Sequence, residues 1–211
     1  MRILYVYSGK AQPTAAGLDL VVRQQVQALT EAGHRVFFLA RGRFRHPLVQ
    51  NFTLPITPAN LISSLPSKYY YNAQHRFFSQ LGAWIVAGQT FDAIIGWNRQ
   101  GLSLFRAANT RDIPCFLNCP SMHHDYPVRE PNLGNWCWPY IKKQEADELY
   151  RRADVLLTAS EYASYTFLAN DIPADKITSI GRAADVARFR SQERQPKPFR
   201  AVFFGRLSER K

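Results

Sequence analysis

Cysteine is scarce in this 211-residue chain, which holds only Cys115, Cys119 and Cys137. The number is odd and no two of them form a Cys-x-x-Cys pair, so the spacing does not predict a zinc site. A chain of this length can bury a core without covalent links, so a disulfide framework is not expected either. We therefore expect reduced thiols with packing roles.

Long apolar runs are also missing. No segment approaches the roughly 20 apolar residues that a membrane-spanning helix needs. The chain starts with MRILYVYSGK, a β-branched and aromatic run in place of a leucine-rich signal segment. We interpret this run as a first buried strand and expect the protein to stay in the cytoplasm.

Acidic residues are few relative to basic ones, since 16 Asp and Glu stand against 27 Lys and Arg and leave a net charge of +11. Such a surface attracts nucleic acids, anionic lipids or phosphorylated ligands, although a basic, arginine-rich proteome would produce the same balance. No nucleic-acid-binding motif accompanies the charge, so nucleic acid is not a predicted partner.

Several cofactor and catalytic motifs are absent as well. There is no Gly-x-Gly-x-x-Gly, which counts against a dinucleotide-binding enzyme. There is no DxD-type pair of acids to hold a divalent metal against a diphosphate, and no Ser/His/Asp constellation is recognisable from spacing. We therefore predict neither a metal nor a cofactor.

What the sequence does contain is a regular alternation of strand and helix patterns. Arg2–Tyr7 is a compact apolar run, and an amphipathic stretch from Leu18 to Leu29 follows it. Gly33 closes this helix, and His34–Ala40 is a second strand, which completes a right-handed βαβ unit. Further strands are predicted at Phe91–Gly96, Pro114–Cys119, Asp154–Thr158 and Lys176–Ile180, with helices at Gln100–Thr110, Tyr140–Arg152 and Glu161–Ala169. The pattern predicts an open, doubly wound α/β fold with a parallel sheet.

Two regions interrupt this alternation. Arg41–Ser67 contains four prolines and is predicted to be a long irregular excursion. Phe189–Arg200 is polar, charged and interrupted by proline, as linkers are, and Ala201–Phe204 then has the pattern of a new first strand. We expect one domain at residues 1–188, a linker at 189–200, and at 201–211 the start of a second domain that is truncated.

Two loops are candidate binding sites because each follows a predicted strand. Gly17 precedes the first helix, whose N-terminus can hold a phosphate or a sugar hydroxyl, although an ordinary βα turn would have the same sequence. His123 and His124 follow the strand that ends at Cys119, where an imidazole can bind a sugar hydroxyl or move a proton. A solvated polar loop is the alternative, and two adjacent histidines cannot easily point into one site.

Two basic segments are weaker candidates. Lys68–Phe78 (KYYYNAQHRFF) fits either a helix lying on an anionic membrane surface or a partly buried helix whose tyrosines pack against the domain. Arg206 and Lys211 flank the turn after Ala201–Phe204, where two cations can hold a diphosphate and stabilise its charge as it departs.

Five short motifs occur in a fixed order along the chain. They are Ala16–Asp19, Gly33–Val36, Ala153–Glu161, Lys176–Phe189 and Gly205–Lys211. In that order they resemble the glycine loop, the Gly-His-x-Val turn, the Ala-Asp…Ser-Glu segment, the Lys-Ile…Asp-x-x-x-Phe segment and the Gly-Arg-Leu-x-x-x-Lys turn of glycosyltransferase family 4. The resemblance spans the whole chain, with Ala16 and Ala183 in place of family glycines. It implies a Rossmann-like N-terminal, acceptor-side domain of a retaining GT-B enzyme, followed by the first residues of the nucleotide-sugar-binding domain.

The resemblance also implies roles for individual residues. Arg206 and Lys211 would grip the diphosphate of a nucleotide-sugar donor, and Gly17 would approach its phosphate and sugar. His123 or His124 would contact the transferred sugar as the catalytic histidine. The leaving diphosphate would itself deprotonate the acceptor hydroxyl on the same face, so neither a protein nucleophile nor a metal is implied.

The acceptor is expected to be a saccharide or a lipid-linked saccharide, with Asp19 and Asp125 as predicted acceptor-binding residues and an anionic membrane surface as a possible partner. We expect the product to enter polysaccharide or cell-envelope glycans, and the 211-residue fragment alone to be inactive. The alternative is a non-catalytic saccharide- or membrane-binding module of the same fold. A nucleotide-sugar epimerase would need further acids and histidines that we do not find.

Overall fold

A computed structural model describes residues 1–11, 17–64, 66–126 and 143–182. The predicted linker at 189–200, the strand at 201–211, Cys137 and the departures at Ala16 and Ala183 lie outside these residues. In the part of the chain that is described, no helix combines the length and hydropathy that a membrane crossing requires.

The described residues form one parallel sheet of seven strands with helices on both faces. The strands are β1 (Arg2–Val6), β2 (Arg35–Ala40), β3 (Val49–Thr53), β4 (Ala93–Trp97), β5 (Cys115–Cys119), β6 (Val155–Thr158) and β7 (Ile177–Ser179). The helices are α1 (Leu18–Glu31), α2 (Ser67–Gly88), α3 (Leu102–Asn109), α4 (Lys143–Arg152) and α5 (Glu161–Leu168). The strand order β3-β2-β1-β4-β5-β6-β7 reverses at β1, and this confirms the predicted doubly wound α/β sheet.

The two faces of β1 carry two separate cores, because successive side chains of a strand point to opposite faces. Leu4 and Val6 pack with residues of α2 and α3, including Phe78 and Leu104. Tyr5 packs on the other face with Val22 and Val26 of α1. β1 therefore lies between α1, which packs on one face of the sheet, and α2, which packs on the other.

The prediction of an irregular excursion from Arg41 to Ser67 is wrong in part. Val49–Thr53 forms the edge strand β3, which pairs in parallel with β2, and Pro58–Ile62 forms a 3₁₀ helix. The strand sequence VQNFT is half polar and only half buried, so it lacks the apolar run by which the inner strands are recognised. Arg41 consequently follows an inner strand of the sheet.

The cysteines Cys115 and Cys119 are buried and free, as the sequence predicts. Both lie on β5, at the two ends of an inner strand. Burial raises the pKa of both thiols, to about 12 at Cys115, where the charge of Asp154 contributes as well. These two thiols therefore remain protonated and pack as small apolar side chains.

Candidate functional site

One cleft of about 540 Å³ opens at the carboxyl ends of β1, β2, β4 and β5. Its walls are the residues that directly follow these strands, the first turn of α1 and one side of α2. In open α/β sheets ligands bind at this edge, where the order of the strands reverses. We refer to this space as the cleft.

The end of β1 joins both walls of the cleft. The Tyr7 hydroxyl donates a hydrogen bond of 2.6 Å to Oδ1 of Asp19 on α1. The next residue, Ser8, has its Oγ 2.9 Å from Nδ1 of His75 on α2. This division follows from the alternation of side chains along the strand, which sends neighbouring residues to opposite faces.

Hydrogen bonds to the backbone of Ser8 fix this corner. Its N–H donates to Oε1 of Gln100 at 2.8 Å, and its carbonyl accepts from Nε2 of Gln74 at 3.3 Å. Gln74 is held in turn by the Thr57 hydroxyl at 2.7 Å. Gln74 and Gln100 are almost fully buried, so the polar wall of the cleft is built before any ligand arrives.

His75 is held as a neutral imidazole in this wall. Burial, together with the nearby charge of Arg99, lowers its pKa from 6.5 to about 4. Its ring lies nearly parallel to that of Tyr71, at 6.2 Å between centroids. A neutral imidazole with one nitrogen bound to Ser8 offers the other nitrogen as a hydrogen-bonding group.

The cleft is strongly basic. Lys10, Arg41, Arg99 and Arg182 line it, whereas Asp19 is the one acid in the lining that the structure describes. Arg99 is the second residue after β4 and has φ of +72°, a backbone conformation that costs energy in residues other than glycine. The charge balance makes the cleft a site for anions.

Gly17 and Asp19 begin α1 beside the cleft. Gly17 is the N-cap, with φ of +63°, a conformation that glycine adopts easily, and a Cβ added there would meet nothing within 4 Å. Asp19 lines the cleft and is bound to the Tyr7 hydroxyl. The donor role of Gly17 and the acceptor role of Asp19 stay predictions. Their predicted partners Arg206 and Lys211 lie outside the described residues.

His123 does not line the cleft. It is 3% exposed, and its ring centroid lies 5.1 Å from that of Tyr150 and 5.4 Å from that of Phe167. Its backbone N–H donates to Oγ1 of Thr166 at 2.9 Å. We call this surround of Tyr150, Thr166 and Phe167 the histidine pocket, and its contacts show His123 packed between α4 and α5.

His124 adjoins the same pocket, with its ring centroid 4.4 Å from that of His123. Its Nε2 lies 3.3 Å from Oδ1 of Asp125 and 3.4 Å from Oδ1 of Asp147, but neither ring nitrogen makes a hydrogen bond. Burial lowers the pKa of His124 although the two acids act in the opposite direction. The predicted catalytic role of either histidine stays a prediction, since the structure brings neither of them into the lining of the cleft.

Asp125 is bound to the ammonium of Lys143. Burial raises its pKa, but the hydrogen bond from Lys143 and the charges of Lys143 and the two histidines outweigh this and leave the pKa below its usual value. His123, His124 and Asp125 also offer ligand atoms within 4.8 Å of one another, a spacing that a metal ion could bridge. The predicted absence of a metal and the acceptor role of Asp125 stay predictions.

Most residues of the cleft wall are not among the site residues predicted from the sequence. Arg41 is the first residue after β2 and Arg99 the second after β4, so their position at the carboxyl edge was available as a signal. His75 was included in a candidate membrane helix, and only its place beside Gln74 on the side of α2 that faces β1 identifies it. That helix is partly buried, with Phe78 in the core, but Tyr69 and Tyr71 are 50% and 47% exposed, so the tyrosine packing of the second interpretation does not hold for these two.

Solved structures of similar fold include an epimerase and two proteins complexed with UDP or a UDP-sugar. A UDP-N-acetylglucosamine 2-epimerase matches with a TM-score of 0.54 and 11% identity over 85% of this chain and 47% of that one. Phytolacca americana UGT2, complexed with UDP-2fluoro-glucose and pterostilbene, matches with a TM-score of 0.55 and 13% identity. The match covers 88% of this chain and 55% of that one. LpCGTa in complex with UDP matches with a TM-score of 0.55 and 14% identity, over 89% of this chain and 55% of that one.

The TM-scores show a common fold and, at these identities, nothing beyond it; the chain spans about half the length of the structures it matches. A search of curated protein sequences finds no significant match. A family model, described as Glycosyltransferase Family 4, matches residues 15–188, which hold the histidine pocket and all of the cleft lining except Tyr7–Lys10. The chain therefore belongs to glycosyltransferase family 4 and has the Rossmann-like α/β domain of the GT-B fold.

Proposed function

We propose that the cleft is the acceptor side of a site where a sugar passes from a nucleotide-diphosphate donor to a saccharide or a lipid-linked acceptor. The observation that carries this proposal is the set of four cations, with one acid, at the carboxyl edge of the sheet. Two similar structures hold UDP or a UDP-sugar, which supports a nucleotide sugar as donor. The products would be polysaccharides or cell-envelope glycans.

The proposed transfer proceeds with retention of configuration and without a metal. Charge develops on the departing diphosphate, and fixed cations that face it lower the barrier more than mobile water does. We assign this role to Arg206 and Lys211, with Gly17 letting the phosphate approach the start of α1 and Arg99 adding positive potential from β4. The diphosphate then accepts the proton of the acceptor hydroxyl, which Asp19 orients.

A transfer assay tests this proposal. Protein produced from its complete reading frame is incubated with radiolabelled UDP-glucose, UDP-galactose, UDP-N-acetylglucosamine or GDP-mannose, a membrane lipid extract and oligosaccharides. We expect label to enter one acceptor class, with chelator present and with the anomeric configuration retained. Failure of every donor, or loss of transfer on chelation, contradicts the proposal. Residues 1–211 alone are expected to give no turnover, and turnover by them would refute that part.

We further propose that the enzyme works at the inner face of a membrane. Ile56, which precedes the 3₁₀ helix, and Leu61, which lies in it, are 77% and 88% exposed. The net charge of +11 favours binding to anionic headgroups. These features also favour the second candidate function, a non-catalytic membrane-binding module. Flotation with anionic and neutral vesicles tests both: binding only to anionic vesicles is expected, and the transfer assay separates enzyme from module.

A further inference from the structure

The strongest unassigned feature of the cleft is the guanidinium of Arg41. Its Nη1 donates to the Tyr70 hydroxyl at 2.9 Å and its Nη2 to the Pro55 carbonyl at 3.3 Å, while its Nε is buried without a hydrogen-bond partner. The ion pairs found among the described residues join other side chains. The side chain is thus held by two neutral groups, and no described carboxylate neutralises its charge.

The loop that carries Lys10 is held beside Arg41. The backbone N–H of Arg41 donates to the carbonyl of Gly9 at 2.9 Å. Gly42 approaches the carbonyl of Lys10 so closely that an added Cβ would lie 1.6 Å from that oxygen. The loops after β1 and β2 are therefore in contact, and they carry Lys10 and Arg41 into the same end of the cleft. A partly buried cation without a counter-charge is costly, so this end favours an anion.

The end of the cleft that holds Arg41 lies away from the place where the donor is expected to bind. Gly17, the predicted donor residue, caps α1 on one face of the sheet, whereas Arg41 is bound to Tyr70 of α2, which packs on the other face. Tyr71, 47% exposed, and the neutral His75 stand on the same wall of the cleft as Tyr70. An aromatic face and a neutral hydrogen-bonding group suit a sugar ring better than a diphosphate.

We propose that the Arg41 end of the cleft binds an acceptor that carries a phosphate or a carboxylate. The planar guanidinium contacts two oxygens of that group, Lys10 adds a point charge, and the α2 wall holds the sugar. This assignment names the acceptor class and rests on the proposed function. Lipid phosphates, sugar phosphates and uronic acids share the required charge, and the binding experiment distinguishes them.

The test is a heteronuclear NMR titration of the 211-residue chain at low salt. The probes are glucose, glucose 6-phosphate, glucuronate and dihexanoyl phosphatidate. We expect at least one anionic probe to bind about tenfold or more tightly than glucose, since hydrogen bonds to charged groups are worth that margin, and to shift the amides of Lys10 and Arg41. Whether phosphatidate, the sugar phosphate or glucuronate binds best identifies the source of the charge.

Matched variants locate the effect. Arg41→Gln should remove the anionic preference, whereas Arg45→Gln, which deletes the same charge from an exposed site in the same loop, should keep it. Tyr70→Phe keeps both the fold and the cation but removes one of the two hydrogen bonds that hold the guanidinium, so it should weaken the anionic probe by a few-fold. If Arg41→Gln does not fold, Tyr70→Phe and Arg41→Lys decide, because both retain the charge. The first loosens the guanidinium, and the second replaces its planar group with an ammonium.

Several results overturn the proposal: equal binding of glucose and the anions, no binding of any anion, or an unchanged preference in Arg41→Gln. Displacement of the anionic probe from the Arg41 end by UDP would assign these cations to the donor and would overturn it too. The transfer assay judges the proposed function separately. Efficient transfer to neutral acceptors alone would leave that function standing and refute the anionic acceptor.

Discussion

The cleft and the histidine pocket lie near the same edge of the sheet, but the histidine of the cleft faces an open space and that of the pocket is enclosed. His75 in the cleft wall has its Nδ1 on Ser8 and lines an open, basic space. His123 in the pocket is enclosed by Tyr150 and Phe167 and does not line that space. A histidine near a strand end can therefore serve recognition or packing, and the helices around it decide which.

The comparison also concerns charge. The cleft holds cations that no described acid neutralises at the Arg41 end, whereas beside the histidine pocket Asp125 and Asp147 flank His124, and Lys143 lies on Asp125. Two carboxylates and one ammonium do not attract an anion, whereas the four cations of the cleft do. We expect substitutions in the pocket to change stability and those in the cleft to change binding.

Phe167→Ala should have the largest effect on stability. The ring is fully buried against His123 and Tyr150, so its loss leaves a cavity and should lower the free energy of unfolding by about 3–5 kcal/mol. Leu168→Ala, at the next position and 44% exposed, is the control and should cost far less. Chemical denaturation measures both, and similar small losses would contradict the packing role of the pocket.

Gly42→Ala should disturb the cleft instead. The added Cβ would meet the backbone carbonyl of Lys10, which can move only with its loop, and the expected cost is about 1–3 kcal/mol. Because the two loops must separate, the anionic probe should also bind more weakly. Gly88→Ala, at a site with nothing within 4 Å, should cost no stability and leave binding unchanged. Full anion binding by Gly42→Ala would show that loop contact does not shape the site.

The pH dependence of stability should report on His75. Its pKa is about 4 in the folded chain against the usual 6.5, so the unfolded chain binds the proton more readily between these values. The contribution of the neutral His75 to the free energy of unfolding is therefore complete above pH 6.5 and is lost as the pH falls towards 4. We call the fall in the free energy of unfolding between pH 6.5 and pH 4 the acid limb. In His75→Gln this fall should be smaller by on the order of 1–2 kcal/mol.

His46→Gln, at an exposed histidine outside the cleft lining, is the control for this limb and should leave it unchanged. Unfolding free energies measured between pH 4 and 7 give the comparison. An acid limb that survives in His75→Gln would mean that the imidazole is already protonated, or free of the wall, in the folded chain.

The sequence predicted the sheet well because inner parallel strands are short apolar runs. Arg2–Tyr7 and His34–Ala40 match β1 and β2 to within a residue or so, and Gly33, at φ of +80°, follows α1 as predicted. The edge strand β3 was missed because its exposed half is polar. Hydrophobic pattern identifies buried strands and loses those that are only half covered.

The candidate site was harder to predict because it depends on contacts between distant segments. Gly17 and Asp19 could be singled out since the start of a helix after a strand is a local signal. The partners of Arg41 are Tyr70 and Pro55, and nothing local in the sequence indicates that α2 returns to meet β1 and β2. Such pairs become visible only when the topology is known.

The central claim, that the cleft carries the transfer, is tested most directly by removing one cation from each of two places. Arg99 lines the cleft, whereas Arg106 pairs with Glu148 on the exposed side of α3. In the transfer assay on protein from the complete reading frame, Arg99→Gln should lower kcat/KM about 100-fold, while Arg106→Gln should change it by less than about twofold. Equal kcat/KM values for the two variants would contradict the assignment of the reaction to the cleft.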